Sequence, residues 1–364
     1  MNALLDELRQ LIAVEGPIPL ARYMGLCLGH PVHGYYTTRD PFGARGDFTT
    51  APEISQMFGE LVGLWAAEAW RLMGAPAQLR LVELGPGRGT LMADLLRAVR
   101  IVPGFAQALS VHLVETSPVL RARQQERLAG SVPVAFPVSW HERFADVPAG
   151  PAVVIANEFF DALPIAQFVR TDRGWHERLV GLDADGRLAF GLAPEPRAEL
   201  PARGGPGDVL EWPAPAAELV TEIARRLAAE GGAALIVDYG YAGPAFGDTL
   251  QAVKNHAFVD PLAEPGEADL TAHVDFARLA DAAGSAGAAA HGPVPQGDFL
   301  RALGIAARAA ALQARASPAQ AADIAGALER LTGSGPDQMG TLFKALALSH
   351  PHLTSLPGFP PHQS

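Results

Sequence analysis

Short apolar runs alternate with amphipathic segments along most of the chain, as in a parallel sheet that is covered by helices. Strands are predicted for the apolar runs at 79–84, 111–115, 132–138, 152–156 and 233–241, with a last strand within 339–348. Helical spacing of apolar residues predicts helices over 54–72, 117–128, 216–230, 277–290 and 297–332. We therefore predict an α/β fold with a Rossmann-like sheet.

A different pattern interrupts this alternation at about 165–212. Polar and apolar residues alternate over 167–170, 174–180 and 187–190, and turns rich in Asp and Gly separate the three segments. This period is typical of antiparallel strands, so the segment predicts an inserted β meander. Residues 194–215 are rich in Pro and Gly and are expected to form a loop.

The first 75 residues are predicted to form a helical extension and a long loop. Leu4, Leu8 and Ile12 share one helical face, and residues 30–53 are rich in Gly, Pro and aromatic side chains. Loops of this length in compact proteins are usually functional. We expect an N-terminal extension with an active-site loop over 1–75, followed by a main domain over 76–364 that carries the insertion.

Composition and charge narrow the function classes. Hydrophobic residues make up 49% of the 364 residues and charged residues 18%, which allows a large buried core. The net charge of −11 disfavours nucleic acid as the main partner, because such proteins usually present a basic face. Cys27 is the only cysteine, so no intrachain disulfide forms. No Cys/His spacing predicts a metal site.

The first fifteen residues determine the expected compartment. They include Asp6, Glu7 and Glu15, whereas a secretory signal begins with basic residues and a mitochondrial transit peptide is poor in acids. No apolar run reaches the roughly 18 residues that would cross a membrane. We therefore expect a cytoplasmic protein without membrane insertion.

Three glycines at alternate positions, Gly85, Gly87 and Gly89, follow the first predicted strand and lead into a helix. Because glycine has no Cβ, a ligand can approach the backbone of this turn, and the helix start offers free N–H groups. With Glu83, the pattern Glu-x-Gly-x-Gly-x-Gly is similar to the nucleoside-binding signature of Rossmann-like methyltransferases that use S-adenosylmethionine (SAM). The alternative is a glycine-rich turn that binds nothing.

Other nucleotide sites fit this turn less well. The dinucleotide fingerprint requires a glycine where the chain has Thr90, and no P-loop triplet Gly-Lys-Ser/Thr follows. An acid beside the turn also suits the ammonium and sulfonium groups of SAM better than a pyrophosphate. An NAD-dependent oxidoreductase is therefore a distant alternative.

Polar residues at three further strand ends complete the expected site. Glu115 ends the second strand, where an acid binds ribose hydroxyls in nucleotide-binding units, although a solvated carboxylate is the alternative. Trp140, after the third strand, is a candidate adenine contact or an ordinary packing residue. Asn157, Glu158 and Asp161 follow the fourth strand, at the sheet edge where ligands of open α/β proteins bind. Asp161 also fits a helix cap.

Six segments carry a joint signal, namely 46–60, 83–92, 157–164, 238–241, 269–276 and 296–300. Together they resemble the MidA-type SAM-dependent methyltransferases over roughly residues 10–350. Mitochondrial members of this family assist assembly of respiratory complex I by methylating an arginine of a core subunit.

The resemblance implies a seven-stranded methyltransferase sheet, SAM as the cofactor and a protein arginine as the acceptor. It makes a subunit of respiratory complex I (NADH dehydrogenase) a candidate protein substrate, and it leaves a homodimer open. Two departures concern the setting and the acceptor. The chain shows no transit peptide, which points to a bacterial setting, and it has no paired-glutamate hairpin of the general protein arginine methyltransferases.

The expected cofactor position follows from these assignments. SAM is predicted along the glycine turn beside Asn157, with its ribose at Glu115 and its adenine near Trp140. Thr50, in the long loop, is expected to contact the cofactor from the other side. The loop at 30–53 and the meander at 165–193 are expected to shape the acceptor site and to act as a lid.

The expected catalytic groups are carboxylates, because a guanidinium stays protonated and is a poor nucleophile. Carboxylates must hold it and accept a proton. Glu158 is the first candidate, followed by Asp161, Asp47 and Glu53. His273 is either a proton relay or a structural histidine.

Two rival functions remain open at this point. One is a non-catalytic assembly or scaffolding protein that retains a SAM-binding fold, and the other is a methyltransferase that acts on a small molecule. The fold alone does not decide between them.

Overall fold

The computed structural model of the chain describes residues 2–38, 49–131, 136–243 and 245–360. The helices are α1 Ala3–Glu15, α2 Leu20–Gly29, α3 Tyr35–Thr38, α4 Ala51–Ile54, α5 Gln56–Leu72, α6 Thr90–Val99, α7 Phe105–Ala108, α8 Pro118–Ser131, α9 Ala214–Glu230, α10 Phe276–Ser285, α11 Gln296–Ala302, α12 Ile305–Gln313 and α13 Pro318–Thr332. The strands are β1 Ile18–Pro19, β2 Leu79–Leu84, β3 Leu109–Val114, β4 Val138–His141, β5 Ala152–Asn157, β6 Ala166–Thr171, β7 Gly174–Leu182, β8 Leu188–Leu192, β9 Val209–Trp212, β10 Gly232–Tyr241, β11 Gln251–Lys254, β12 Ala257–Val259, β13 Asp269–Thr271, β14 Val274–Asp275, β15 Ala289–Pro295 and β16 Phe343–Ser349.

The chain divides into two compact units. Unit 1 comprises Met1–Phe48, Asp161–Glu218 and Gly243–Val274, and unit 2 comprises Thr49–Phe160, Leu219–Ala242 and Asp275–Ser364. Helix α5 therefore belongs to unit 2, although the sequence placed it in the extension before residue 76. The reason is its close packing on α6, where a Cβ on Gly59 would lie 2.7 Å from Cβ of Asp94. The functional division at residue 76 stays a prediction.

Unit 2 is built on a mostly parallel sheet. Seven strands within its described residues follow the order β15-β16-β10-β5-β2-β3-β4. Strands β10, β5, β2, β3 and β4 are parallel, whereas β16 runs antiparallel to both of its neighbours. Every residue of β5 is buried, as its continuous apolar run predicts for a central parallel strand. The predicted α/β class and methyltransferase-type sheet are confirmed.

Two strands of this sheet differ from the prediction. The third strand, expected at 132–138, is β4, so Trp140 lies inside a strand and pairs opposite Leu113. Residues 132–135 lie outside the described residues. Strand β15 was missed, because Gly292 and Pro293 are usual strand breakers. The strand nevertheless pairs with β16, with an irregular register between His291 and Val294.

Unit 1 contains the inserted meander. Strands β6, β7 and β8 are antiparallel and confirm the alternating pattern. Strands β1 and β9 extend this sheet by pairing with β7 and β6, and β11 to β13 form a second sheet. These additions were not predicted, because they are short and lie in segments rich in Pro and Gly. None of the helices in the described ranges has the length and apolar character needed to cross a membrane.

Candidate functional site

The three predicted glycines form the turn between β2 and α6. Gly85, Gly87 and Gly89 have φ values of +58°, +53° and +76°, in the left-handed region that other residues rarely adopt. A Cβ on Gly85 would also lie 2.6 Å from Cδ2 of Phe159. The turn therefore requires glycine both for its conformation and for its close contact.

Glu83 lies in β2, two residues before the turn. Its side chain is buried, and its Oε2 has no hydrogen-bond partner among the described residues. Burial, and then the negative charge of Glu115, raise the pKa of Glu83 to about 8. A buried carboxyl without a partner is unfavourable, so a cationic ligand would stabilise its charged form.

Glu115 directly follows β3, whereas the sequence predicted it as the last residue of this strand. Its Oε1 accepts a hydrogen bond from the backbone N of Ser117 at 2.8 Å, and its Oε2 accepts one from Nε2 of Gln124 at 3.2 Å. Burial raises the pKa of Glu115, and these hydrogen bonds oppose that rise. A buried carboxylate that is held in this way can accept hydrogen bonds from ribose hydroxyls.

Gln124 connects three of the predicted cofactor residues. Besides Glu115, its Nε2 donates to the carbonyl oxygen of Gly87 at 2.8 Å, and its Oε1 accepts from Nε1 of Trp140 at 2.9 Å. The structure thus brings the glycine turn, Glu115 and Trp140 together. Sequence reasoning missed Gln124, although one signal was available: a polar residue stands midway between Leu120 and Leu128 on the buried helix face.

The chain leaves β5 through an unusual turn. Glu158 has a φ of +50°, which costs a residue other than glycine on the order of 1 kcal/mol. Its Oε1 accepts hydrogen bonds from the backbone N of Ala51 at 2.8 Å and from Nδ2 of Asn157 at 3.0 Å. Oδ1 of Asn157 is buried and has no partner within the described ranges.

Asp238, at the end of β10, holds the next two residues of this turn. Its Oδ2 accepts hydrogen bonds from the backbone N atoms of Phe159 at 3.1 Å and Phe160 at 3.0 Å. Its Oδ1 accepts from the backbone N of Tyr239 at 2.9 Å, and the side chain is fully buried. This carboxylate was not predicted as part of the site.

Thr50 immediately precedes α4, and its side chain is buried. The following residue, Ala51, is the one whose N–H Glu158 binds. One turn later, Glu53 accepts a hydrogen bond from Oγ1 of Thr90, the first residue of α6. Helix α4 is therefore tied both to the glycine turn and to the turn after β5.

Asp161 belongs to unit 1. Its carbonyl oxygen accepts a hydrogen bond from the backbone N of Ala272 at 3.0 Å. Burial, and then the charges of Asp269 and Asp161, raise the pKa of Tyr36, whose hydroxyl donates to Oδ1 of Asp269 at 2.8 Å. Tyr36 and Asp269 are thus neighbours of Asp161 that the sequence did not indicate.

His273 also belongs to unit 1. Its backbone N donates to Oγ1 of Thr249 at 2.8 Å, and that hydroxyl donates to Oε2 of Glu211 at 2.7 Å. Asp47 lies outside the described residues. The catalytic roles assigned to these residues stay predictions.

The residues of unit 2 fit a bound SAM. Oε2 of Glu83 and Oδ1 of Asn157 are buried acceptors without partners in the described part of the chain. They lie near the carboxyl ends of β2 and β5, which pair in parallel with Leu84 opposite Ala156. Acceptors at this place suit the ammonium group of SAM, and Glu115 suits its ribose.

Comparisons with known proteins agree with this interpretation. A family model of S-adenosyl-L-methionine-dependent methyltransferases matches residues 61–294. The protein arginine methyltransferase NDUFAF7 homolog, mitochondrial, of Drosophila melanogaster is 41% identical over 374 residues, which cover 95% of this chain and 85% of that protein. Its counterpart NDUFAF7 of Danio rerio is 40% identical over 366 residues, which cover 94% of this chain and 86% of that protein.

A solved structure extends the similarity to the whole fold. It is the crystal structure of a protein from Burkholderia thailandensis bound to S-adenosyl-homocysteine. The TM-score is 0.86 at 34% sequence identity, and the match covers 98% of this chain and 94% of that chain.

The relatives also correct one expectation. The sequence predicted a cytoplasmic protein, but the relatives from Drosophila melanogaster, Danio rerio and Homo sapiens are named mitochondrial. The prediction of a cytoplasmic protein is therefore wrong. It rested on Asp6, Glu7 and Glu15, which are exposed on the first helix of the folded protein, while Leu4, Leu8 and Ile12 on its other face are buried in the core of unit 1.

Proposed function

Because the chain belongs to the MidA-type family of SAM-dependent methyltransferases, we propose that it methylates an arginine of a protein substrate. The observation that carries this proposal is the identity of 40–41%, over nearly the whole chain, with proteins named protein arginine methyltransferases. The resemblance makes a core subunit of respiratory complex I the first acceptor to test.

The protein's own contribution is to place the acceptor and to manage its charge. Bound SAM supplies an electrophilic methyl group on its sulfonium. A guanidinium resists methylation because its positive charge is delocalised and its proton is held strongly. The chain must therefore hold one nitrogen in line with the methyl group and accept a proton from it.

Glu158 is the residue proposed for this task. Its carboxylate directly follows β5, and two donors, the N–H of Ala51 and the amide of Asn157, already orient its Oε1. Donors of this kind stabilise a negative charge, and an ionised carboxylate binds a guanidinium well. Asp161, Asp47 and His273 remain second candidates for proton transfer.

The test combines labelled methyl transfer with cofactor binding. Purified protein and labelled SAM are added to an extract of cells that lack this protein, and the labelled product is hydrolysed to amino acids. We expect label in methylarginine. Label in a small molecule instead would favour the small-molecule methyltransferase, and SAM binding without any transfer would favour the scaffolding protein.

The variant Glu158→Gln tests the proposed residue. We expect turnover to fall by about 100-fold or more, because a neutral amide neither holds the guanidinium nor accepts its proton. Calorimetry should find the Kd for SAM changed by less than about threefold. Glu68→Gln, in an exposed ion pair with Arg71, is the matched control and should leave both quantities unchanged. Retained turnover in Glu158→Gln would exclude Glu158 from this role.

A further inference from the structure

Gln124 occupies a position where the helix pattern calls for an apolar residue. Leu120, Gln124 and Leu128 follow one another at intervals of four on α8, and all three are buried, with 2%, 0% and 7% of each residue exposed. Burying an amide is unfavourable unless its hydrogen bonds are made. A glutamine at this buried position is therefore expected to have hydrogen-bond partners that offset its burial.

The partners account for nearly all of the amide's hydrogen-bonding capacity. Its two N–H groups serve the carbonyl oxygen of Gly87 and Oε2 of Glu115, and its oxygen accepts from Nε1 of Trp140. The side chain also packs under the turn, since a Cβ on Gly89 would lie 3.5 Å from Cγ of Gln124. One side chain thus contacts the glycine turn, Glu115 and Trp140 together.

We propose that Gln124 is a positioning residue of the cofactor site. It fixes the glycine turn, the carboxylate of Glu115 and the ring of Trp140 in one arrangement before SAM binds. With both of its N–H groups already used, it acts through these three residues. This proposal rests on SAM as the cofactor and is independent of the acceptor, so its test remains valid if arginine methylation fails.

Gln124→Met is the principal variant, because methionine has a similar size and shape but makes none of these hydrogen bonds. It leaves the carbonyl of Gly87 and Oε2 of Glu115 without their donor, which is unfavourable for buried polar groups. We expect the Kd to rise about 10–100-fold for SAM and equally for S-adenosyl-homocysteine. The two ligands should respond alike, because Gln124 positions groups for the ribose and the turn rather than for the sulfonium.

A second measurement uses the protein without ligand. Amide hydrogen exchange at residues 85–90 should become faster in Gln124→Met, because the carbonyl of Gly87 no longer holds the turn. At saturating SAM, kcat should stay within about threefold of the wild type, so that the change appears in KM.

Gln296→Met is the matched control. Gln296, the first residue of α11, is equally buried, and its Nε2 donates to the carbonyl oxygen of Leu331 at 2.9 Å. Its Oε1 has no partner in the described part of the chain, so this variant breaks one hydrogen bond of a buried glutamine away from the cofactor site. Its Kd and the exchange at residues 85–90 should stay unchanged. An equal rise in Kd in both variants would reduce Gln124 to a structural role and overturn the proposal.

Trp140→Phe supplies an independent check, since it removes the N–H that donates to Oε1 of Gln124, together with part of the aromatic ring system. In the double variant Gln124→Met/Trp140→Phe, the rise in Kd should be smaller than the product of the two single-variant rises. The two effects should be non-additive because both variants break the same hydrogen bond. A folded Gln124→Met with the wild-type Kd would overturn the proposal. If Gln124→Met does not fold, unchanged exchange at residues 85–90 in Trp140→Phe would overturn it.

Discussion

The turns that follow β2 and β5 lie side by side in one sheet and are built in opposite ways. The turn after β2 obtains its positive φ values from three glycines, and Oε2 of Glu83 before it has no partner in the described ranges. The turn after β5 places a positive φ on Glu158, whose side chain is held by Ala51 and Asn157.

The difference shows what each turn needs from outside. The glycine turn leaves a buried acid unsatisfied, so the ligand has to complete it. The backbone of the turn after β5 is held from within the protein, because Asp238 accepts the N–H groups of Phe159 and Phe160, and only Oδ1 of Asn157 before the turn is a buried acceptor without a partner among the described residues of this turn. Its strain at Glu158 is thereby offset in advance, which is a feature of functional sites.

The largest effect should come from Gly85→Val, which is incompatible with the conformation and packing of the first turn. A Cβ there would lie 2.6 Å from Phe159, and a β-branched residue does not tolerate the φ of +58°. We expect SAM affinity to fall by about 1000-fold or more, measured by calorimetry. Gly304→Val, at a φ of +90° with open space around it, is the control that carries strain alone and should bind SAM normally.

Glu83→Gln should remove the unfavourable buried negative charge beside the glycine turn. The native pKa of about 8 lies above the ordinary value of 4.5, so the folded state binds the proton more tightly and loses stability as pH rises through this window. At pH 7.5 the ligand-free variant should therefore be more stable than the wild type by about 4 kcal/mol. Denaturant unfolding should show this gain disappearing as the pH falls to 4.5, while SAM binds more weakly to the variant at pH 7.5.

A control with the opposite sign is available. The pKa of Glu211 is also raised by burial, but its carboxylate accepts hydrogen bonds from Gln167 and Thr249. Glu211→Gln should therefore lose stability, because an amide cannot accept all of them. A gain in stability in both variants would mean that burial alone explains the gain in Glu83→Gln and that the missing hydrogen-bond partner of Glu83 does not.

Asp238→Asn should break the internal support of the second turn. An asparagine has one acceptor oxygen, so its amide faces at least one of the three backbone N–H groups that Asp238 now binds. We expect a loss of about 2 kcal/mol in unfolding free energy and a fall in kcat of about 10-fold. The Kd for SAM should change by less than about threefold, and a large rise in that Kd would mean that the two turns are not separate.

Asp275→Asn makes the same exchange where it should be harmless. Asp275 caps α10 by accepting the backbone N of Arg278, and asparagine caps a helix about as well. Turnover should remain close to the wild type. Stability should fall by less than about 1 kcal/mol, because only the charge of the pair between Oδ2 and Nε of Arg278, 3.7 Å apart, is lost.

The smallest effect tests the strain at Glu158. Glycine tolerates a φ of +50° and alanine does not, so Glu158→Gly should be more stable than Glu158→Ala by about 1 kcal/mol. At Glu222, which is exposed in α9, the same pair should differ by about 1 kcal/mol in the other direction, because glycine is the poorer helix former. Equal stability of the two Glu158 variants would argue against strain in the turn.

The sequence predicted what local patterns determine. The glycine turn, strands β2, β3, β5 and β10, and the meander all followed from periodicity within a few residues. Strands β1 and β15 did not, because a two-residue strand has no period and Gly292-Pro293 resembles a break. These strands exist only through pairing with β7 and β16.

The supporting residues of the site were hidden for a related reason. Gln124 and Asp238 act on groups that lie 37 and 79 residues away in the chain. A single sequence shows that Gln124 is polar on an apolar face, but it does not show which carbonyl the amide reaches. The positive φ of Glu158 has no local signal either, since nothing in the segment Asn-Glu-Phe-Phe distinguishes it from a helix start.

The bond between Asp238 and the turn after β5 also sets an order of events during synthesis. The hydrogen-bond partners of Gln124 at the cofactor site, from Gly87 to Trp140, are all synthesised before Glu158. Asp238 follows Phe159 by 79 residues, which at about 5–20 residues per second is a delay of roughly 4–16 seconds. The residues that Gln124 holds together are therefore available several seconds before Asp238 can bind the turn that carries Glu158. The proposed methyl-transfer residue is held in place only after β10 has been synthesised.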